Sequence, residues 1–163
     1  MTLDHGIEGG EGVTLRPVVP GDLPELFRLQ ADPASNAMAV VNARSREAFE
    51  AAWEKIWDDP EVVPRVIVAR GVLVGTVSCF RSDGVDYVGY WIDREHWGKG
   101  YASRGLELLL REVTKRPLVA KVARTNAGSL RVAGRCGFEL VEYVHEPATE
   151  RFPAAEVAVL RLG

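Results

Sequence analysis

The length and charge of the chain limit what it can be. Its 163 residues are typical of one domain with a substantial core. The 20 basic and 23 acidic residues give a net charge of -3, which argues against nucleic acid as a partner. No apolar run reaches the roughly 20 residues that a membrane helix needs, so no membrane partner is expected either. The two cysteines, Cys79 and Cys136, match no disulfide framework and no metal motif, which predicts no metal site.

The first residues favour a tail rather than a targeting signal. Residues 1–11 lack the basic and apolar regions of a signal peptide, and their glycines and acids predict a flexible segment. A single domain over residues 12–163 and a cytoplasmic location are therefore expected.

The N-terminal third alternates strand and helix patterns. Val13 to Val19 reads as a strand, and Asp22 to Gln30 as a helix for which Asp22 supplies an N-cap. Residues 31–44 are small and polar and show no clear period. Ser45 to Asp58 is a clearer helix, because Phe49 and Trp53 recur on one face.

The middle of the chain predicts a hairpin array that leads into a β-α-β unit. Val62 to Ala69 and Val72 to Phe80 are β-branched runs joined by Arg70-Gly71, a tight-turn signal, and Val85 to Ile92 is the next strand. This order favours an α/β fold in which a mixed sheet carries helices on its faces. The remaining predicted elements are helices over 100–114 and 126–135 and strands over 118–123, 138–144 and 156–160.

A short glycine turn joins the strand 85–92 to the helix 100–114. In Gly98-Lys99-Gly100 the turn leaves several backbone N–H groups and the positive end of a helix dipole aimed at one point, which suits a phosphate group. The spacing fits neither the Walker pattern nor the Rossmann pattern, since Ser103 occupies the place of the third Rossmann glycine. A tight turn without a ligand is the alternative.

A second block follows one helix and one strand later. Asn126-Ala127-Gly128-Ser129, with Gly137-Phe138 after it, resembles the Asn-x-x-Ser…Gly-Phe ending of the GNAT (GCN5-related N-acetyltransferase) family, and most of all its RimJ/RimL-like branch. Trp97 to Ala102 then resembles the pyrophosphate loop of that family, although Trp97 stands where arginine or glutamine is usual. Leu15-Arg16-Pro17 and Leu73 to Val77 resemble further strands of the branch.

The resemblance implies a fold and a donor. The fold would be α+β, a mostly antiparallel twisted sheet of about six or seven strands splayed between strands 4 and 5, with about four helices. Acetyl-CoA would be the cosubstrate, without a metal, and its 3'-phosphate would lie near Lys99 or Arg104. The implied donor-binding residues are Trp91, Ile92, Trp97, Gly98, Lys99, Gly100, Tyr101, Ala102, Ser103, Asn126 and Ser129.

The resemblance also implies a reaction, the direct attack of an amine on the thioester in a ternary complex. Many family members use a tyrosine to protonate the departing thiolate, but Ala133 occupies that position. The RimJ/RimL-like branch instead uses the serine of Asn-x-x-Ser, so the resemblance implies Ser129 as the proton donor. Asn126 would orient the pantetheine amide. Both side chains also suit a plain helix cap.

The general base is left open among several groups. An alkyl amine is protonated at neutral pH and must lose a proton before it attacks. The branch often has a glutamate where this chain has Tyr87. Asp86, Glu95 and His96 are the candidates near that strand, and a water chain without a dedicated base is the alternative.

The acceptor is the least defined part of the prediction. A primary amine, either a protein N-terminus or a small molecule, is expected to bind between the N-terminal helices and the hairpin loops. Met38, Phe49, Trp53 and Trp57 could line that site, although the helical spacing of the three aromatic residues favours core packing. Succinyl-CoA or another acyl donor, a binding module without turnover, and a homodimer remain open.

Overall fold

The computed structural model describes residues 12–163, and the predicted tail at residues 1–11 lies outside this part of the chain. The described residues form a seven-stranded sheet with the order β1-β2-β3-β4-β5-β7-β6. Every neighbouring pair is antiparallel except β4 and β5, which are parallel. The predicted mixed sheet is therefore confirmed, with five α-helices rather than about four.

The predicted strands and helices are all present, and their ends differ from the predicted ends by at most two residues. No helix within residues 12–163 is long and apolar enough to cross a bilayer. The strands are β1 (Val13–Pro17), β2 (Val63–Ala69), β3 (Val72–Ser82), β4 (Val85–Ile92), β5 (Leu118–Ala123), β6 (Glu139–Glu146) and β7 (Ala155–Leu162), and the helices are α1 (Leu23–Ala31), α2 (Pro33–Ala39), α3 (Arg46–Trp57), α4 (Tyr101–Glu112) and α5 (Ala127–Arg135).

Helix α2 is the element that the sequence pattern did not predict. Its start is well defined, because the Asp32 carboxylate accepts hydrogen bonds from the Ser35 N–H (3.0 Å) and the Ser35 hydroxyl (2.7 Å). Its buried residues are Ser35 and Asn36, so it has no apolar stripe of the kind that periodicity detects. It ends at Val40, whose φ of 56° lies in the left-handed region.

The two faces of the sheet carry different helices. Tyr90 and Ile92 of β4 pack on the larger core, to which α4 contributes Leu106 and Leu109. The alternate residue Trp91 packs on the opposite face, in a smaller core with Phe49 and Trp53 of α3. The core role favoured for those two aromatic residues is confirmed, since both are buried, whereas Trp57 is exposed.

The sheet opens between β4 and β5. Tyr87 and Val119 form the one registered pair between these strands among the described residues, so the strands are joined there and separate toward their C-terminal ends. This is the predicted splay. On the other edge of β4, the Asp93 N–H donates to the Val74 carbonyl (2.8 Å). Backbone groups alternate along an antiparallel ladder, so Tyr90 and Ile92 direct their N–H and C=O groups into the opening.

Candidate functional site

A cleft of about 620 Å³ occupies the opening between β4 and β5. It lies between the last residues of β4, the loop that leads into α4, the first turn of α5 and one side of α2. Such a concave site, in which backbone groups and a few side chains converge, is the usual form of a small-molecule site. The lining includes Ser35, Met38, Ala39, Tyr90, Trp91, Ile92, His96, Trp97, Gly98, Gly100, Tyr101, Ala102, Ser103, Thr125, Asn126, Ala127, Gly128, Ser129, Arg131, Val132 and Arg135.

The loop before α4 depends on two glycines with a positive φ. Gly98 has a φ of 76° and Gly100, the N-cap of α4, has a φ of 79°. Only glycine adopts this region at low cost, and the turn that results brings Tyr101, Ala102 and Ser103 to the cleft wall. Because the first N–H groups of a helix have no acceptor within it, this end of the cleft can bind an anion.

Trp97, which departs from the family pattern, connects this loop to β4. Its indole N–H donates to the Ile92 carbonyl (2.9 Å). This hydrogen bond holds the loop against the end of β4. It also occupies the Ile92 carbonyl, which is one of the backbone groups that face the opening. Lys99 is exposed and does not belong to the cleft lining.

The N-terminus of α5 forms the opposite wall. Asn126 caps the helix, since its side-chain oxygen accepts a hydrogen bond from the Ser129 N–H (3.2 Å). Arg131 and Arg135, one turn apart on α5, both line the cleft. Of the two basic residues that the sequence suggested for the phosphate end, Lys99 does not line the cleft, and Arg104 is buried and paired with Glu107.

A pair of hydroxyl groups joins the two walls. The Tyr90 hydroxyl donates to the Ser129 carbonyl (2.7 Å) and accepts a hydrogen bond from the Ser129 hydroxyl (3.0 Å). Burial raises the pKa of Tyr90 to about 12, so this phenol is neutral at physiological pH. Sequence reasoning passed over Tyr90, although strand alternation from Ile92 places its side chain on the same face.

The two carboxylates predicted as candidate bases do not lie in the cleft. Asp86 lies near the closed end, where it pairs with Arg81 (3.0 Å) and Lys115 (3.0 Å). The hydrogen bond from Lys115 holds the pKa of Asp86 below its ordinary value, which weakens it as a base. Glu95 is exposed and borders a separate cavity of about 460 Å³ beside α1.

His96 is the candidate base that does line the cleft. Its ring lies 6.1 Å from the Tyr101 ring, beside the start of α4, and its Nδ1 is buried without a hydrogen-bond partner. Among residues 12–163, no aspartate or glutamate lines the cleft. Of the four residues named for the acceptor site, Met38 alone does so.

The match to a family model identifies the class of protein. Residues 13–139 match the model described as "Acetyltransferase (GNAT) domain", so the chain belongs to the GNAT acetyltransferase family. The family resemblance carried by the glycine loop and the Asn126 block is thus confirmed. No curated protein sequence matches the chain at a significant level.

Solved structures of N-acetyltransferases share the fold. The spermidine N-acetyltransferase of Vibrio cholerae, in complex with CoA and spermine, has a TM-score of 0.80 at 20% identity, over 93% of this chain and 95% of that chain. RimL, the ribosomal L7/L12 α-N-protein acetyltransferase in complex with CoA, has a TM-score of 0.76 at 20% identity, over 93% and 94%. The microcin C7 self-immunity acetyltransferase MccE, with acetyl-CoA and AMP, has a TM-score of 0.77 at 20% identity, over 96% and 95%.

Within residues 12–163, no group of three or more histidines, cysteines, aspartates and glutamates is placed to hold a metal ion.

Proposed function

We propose that the protein transfers an acetyl group from acetyl-CoA to a primary amine, by direct attack of the amine within a ternary complex. This proposal is based on the groups that line the cleft between β4 and β5. An anion-binding helix start, unpaired backbone groups of β4 and a hydroxyl pair all face the same opening. The CoA and acetyl-CoA complexes of the structural neighbours support the choice of donor.

The donor would lie along the opening from the α4 loop toward the middle of the sheet. Its pyrophosphate would accept hydrogen bonds from the first N–H groups of α4, and Arg131 and Arg135 would attract its phosphates. The pantetheine arm would pair with the Ile92 N–H and with the backbone of Tyr90, like an added strand, since the Ile92 carbonyl already accepts from Trp97. Trp91 and Ile92 were predicted for this contact. Trp91 lines the cleft, but its carbonyl faces Gly75 on β3, so this carbonyl is turned away from the donor.

The chemistry then needs three events at the thioester. The amine nitrogen attacks the carbonyl carbon, the oxyanion that forms accepts a hydrogen bond from a free N–H of β4, and the C–S bond breaks as the carbonyl re-forms. As the C–S bond breaks, the nitrogen of the intermediate loses its surplus proton to water and the CoA thiolate takes the proton of the Ser129 hydroxyl. Water then passes the nitrogen's proton on to Ser129. Tyr90 positions that hydroxyl and stays protonated throughout, because its pKa is about 12.

We propose that water removes the proton from the amine. No carboxylate of the described residues lines the cleft, so neither Asp86 nor Glu95 can accept that proton without a rearrangement. His96 lies beside the start of α4, where the donor phosphates would bind. An open cleft mouth allows a water chain to reach the amine.

Calorimetry with acetyl-CoA, followed by an assay of thiol release over a panel of amines, tests the proposal. We expect binding and amine-dependent release of free CoA. Failure to bind acetyl-CoA at millimolar concentration would contradict the donor site. Binding of acetyl-CoA without release of CoA for any amine would indicate a module without turnover. Release of CoA from succinyl-CoA but not from acetyl-CoA would mean that succinyl-CoA is the acyl donor.

A further inference from the structure

The mouth of the cleft has a second side, formed by segments that are distant in sequence. Helix α2 lines the cleft through Ser35, Met38 and Ala39. The chain continues from α2 into residues 42–44, which contact the β6–β7 loop at residues 149–152. This second side, α2 with residues 42–44 and 149–152, is called the α2 rim below.

The β6–β7 loop belongs at this end of the cleft because of the strand register. Val157 of β7 pairs with Ala123, the last residue of β5, and the Arg124 N–H donates to the Glu156 carbonyl (3.0 Å). The next residue, Thr125, lines the cleft. The loop before β7 therefore lies where β4 and β5 are furthest apart, and the α2 rim borders the opening.

Hydrogen bonds hold the rim together. The Asn42 N–H donates to the Arg151 carbonyl (2.7 Å), and the Asn42 side-chain amide donates to the Glu150 carbonyl (3.1 Å). The Arg151 guanidinium donates back to the Asn42 carbonyl. The 149–152 turn is closed by the Phe152 N–H, which donates to the Thr149 hydroxyl (3.0 Å). These hydrogen bonds make the α2 rim one connected structure and not two independent loops.

Two half-buried arginines lie together on this rim. Arg44 follows Asn42 by two residues, and Arg151 bonds to the Asn42 carbonyl. Burial, with a smaller contribution from the Arg44 charge, lowers the pKa of Arg151 to about 10. Neither arginine has an ion-pair partner among residues 12–163, and the exposed side chain of the adjacent Glu150 forms no ion pair there either.

Arg44 and Arg151 lie on the side of the opening from which the acceptor amine would approach the thioester. The α4 loop and the start of α5 would hold the donor phosphates on one side of the opening. An acceptor that meets the thioester from the other side passes the α2 rim. Desolvated cations without counter-ions are costly, so a ligand that supplies an anion there gains affinity.

We propose that the acceptor is an amine that carries an anionic group, a carboxylate or a phosphate, which binds to Arg44 and Arg151. This inference rests on the function proposed above and specifies its substrate class. It disfavours polyamines, because the cleft has no carboxylate among its described lining residues to attract additional ammonium groups. A protonated polyamine would also meet two uncompensated guanidinium groups at the rim.

A panel of matched acceptors tests the substrate class in the thiol-release assay. The pairs are seryl-aspartyl amide and seryl-asparaginyl amide, the α-amides of glutamate and glutamine, and phosphoethanolamine and ethanolamine, with spermidine as the polycation. The members of each pair differ mainly in one anionic group. We expect kcat/KM to be about tenfold higher for the anionic member of at least one pair, and spermidine to react more slowly than it.

Substitution of Arg44 tests the assigned residue, because Arg44 makes no hydrogen bond or ion pair within the described residues and can change without breaking the rim. R44Q should raise the KM of the anionic acceptor about tenfold and change that of its neutral partner less than about twofold. R44E should reverse the preference within the pair. The control is R161Q, since Arg161 lies on β7 opposite Val119, at the closed end of the cleft. It should alter neither KM.

The outcomes separate this inference from the proposed function. If acetyl-CoA does not bind, the donor site itself is wrong. If acetyl-CoA binds but no anionic amine reacts, or spermidine reacts best, the substrate class is wrong and the donor site stands. If R44Q changes the KM of both members of a pair equally, at an unchanged melting temperature, then Arg44 does not take part in acceptor recognition.

Discussion

The two sides of the cleft are built in different ways. The donor side consists of two contiguous segments, Trp97 to Ser103 and Asn126 to Ser129, whose glycines and caps act within a few residues of one another. The α2 rim consists of segments more than a hundred residues apart, joined by bonds such as that from Asn42 to Glu150. A site made from local backbone is visible as a motif, whereas a site made from long-range contacts is visible only in the fold.

The largest expected effect falls on β4, which lines the opening between the two sides. Gly75 of β3 faces Ile92, and a Cβ at Gly75 would lie 2.2 Å from the Trp91 carbonyl oxygen. G75A should lower the free energy of unfolding by about 3 kcal/mol, because β4 must move. It should also weaken acetyl-CoA binding. G89A is the control, because its Cβ would make an ordinary 3.7 Å contact with Phe80, and it should cost less than about 1 kcal/mol in urea unfolding. Equal costs for the two variants would contradict the close approach of β3 and β4.

The next largest effect, on the Kd of acetyl-CoA, should distinguish the donor side from the α2 rim. G100V forces valine to a φ of 79° and places its branches where the pyrophosphate would approach. The Kd of acetyl-CoA should rise about 100-fold, or about 2.7 kcal/mol, measured by calorimetry. G84V is the matched control, because Gly84 also has a positive φ, of 77°, and a Cβ there meets no atom within 4 Å, so its Kd should be unchanged. A normal Kd for G100V would remove the loop from donor binding.

The hydroxyl pair should affect turnover and not donor affinity. S129A should lower kcat about 30-fold and Y90F about fivefold, with an unchanged Kd for acetyl-CoA. The double variant should resemble S129A alone, since Tyr90 acts through Ser129. Y87F, at the closed end of the cleft, is the control and should keep the full kcat. Multiplicative losses in the double variant would mean that Tyr90 has an independent role.

The smallest effect concerns the connection between α1 and the start of the donor loop. Buried Asp93 accepts hydrogen bonds from Arg28 (2.8 Å) and from the Glu95 N–H (3.1 Å). Burial alone would raise the pKa of Asp93, but these hydrogen bonds outweigh it and hold the pKa below the ordinary value. D93N should therefore cost about 1.5 kcal/mol of unfolding free energy at neutral pH.

The sign of the pH dependence follows from that depressed pKa. The ionised Asp93 stabilises the fold above the ordinary aspartate pKa of about 3.9, and the contribution is lost as the pH falls through the lower folded-state pKa. Urea unfolding of the wild type and D93N should therefore converge in acid. D83N, in the exposed β3–β4 turn, should follow the wild type at every pH. A constant gap between wild type and D93N would refute the ionic role.

Prediction from the sequence worked where local signals were strong. The β-branched runs and the Arg70-Gly71 turn predicted the hairpin of β2 and β3, and the glycine turn predicted the start of α4. It did not work for α2, because buried Ser35 and Asn36 leave no apolar period. It also named Asp86 as a candidate base because it is adjacent to Tyr87, and Glu95 because it follows β4, and neither lines the cleft.

The sequence by itself determined the family, the order of strands and helices along the chain and the glycine turn before α4, because glycine conformation, helix caps and hydrophobic period act over a few residues. The tertiary structure decided which side chains meet. The Tyr90–Ser129 pair spans 39 residues and the rim bond from Asn42 to Glu150 spans 108, so both exist only after β4, α5 and the β6–β7 loop have packed. For that reason the donor could be predicted from a motif, and the class of acceptor had to be inferred from the fold.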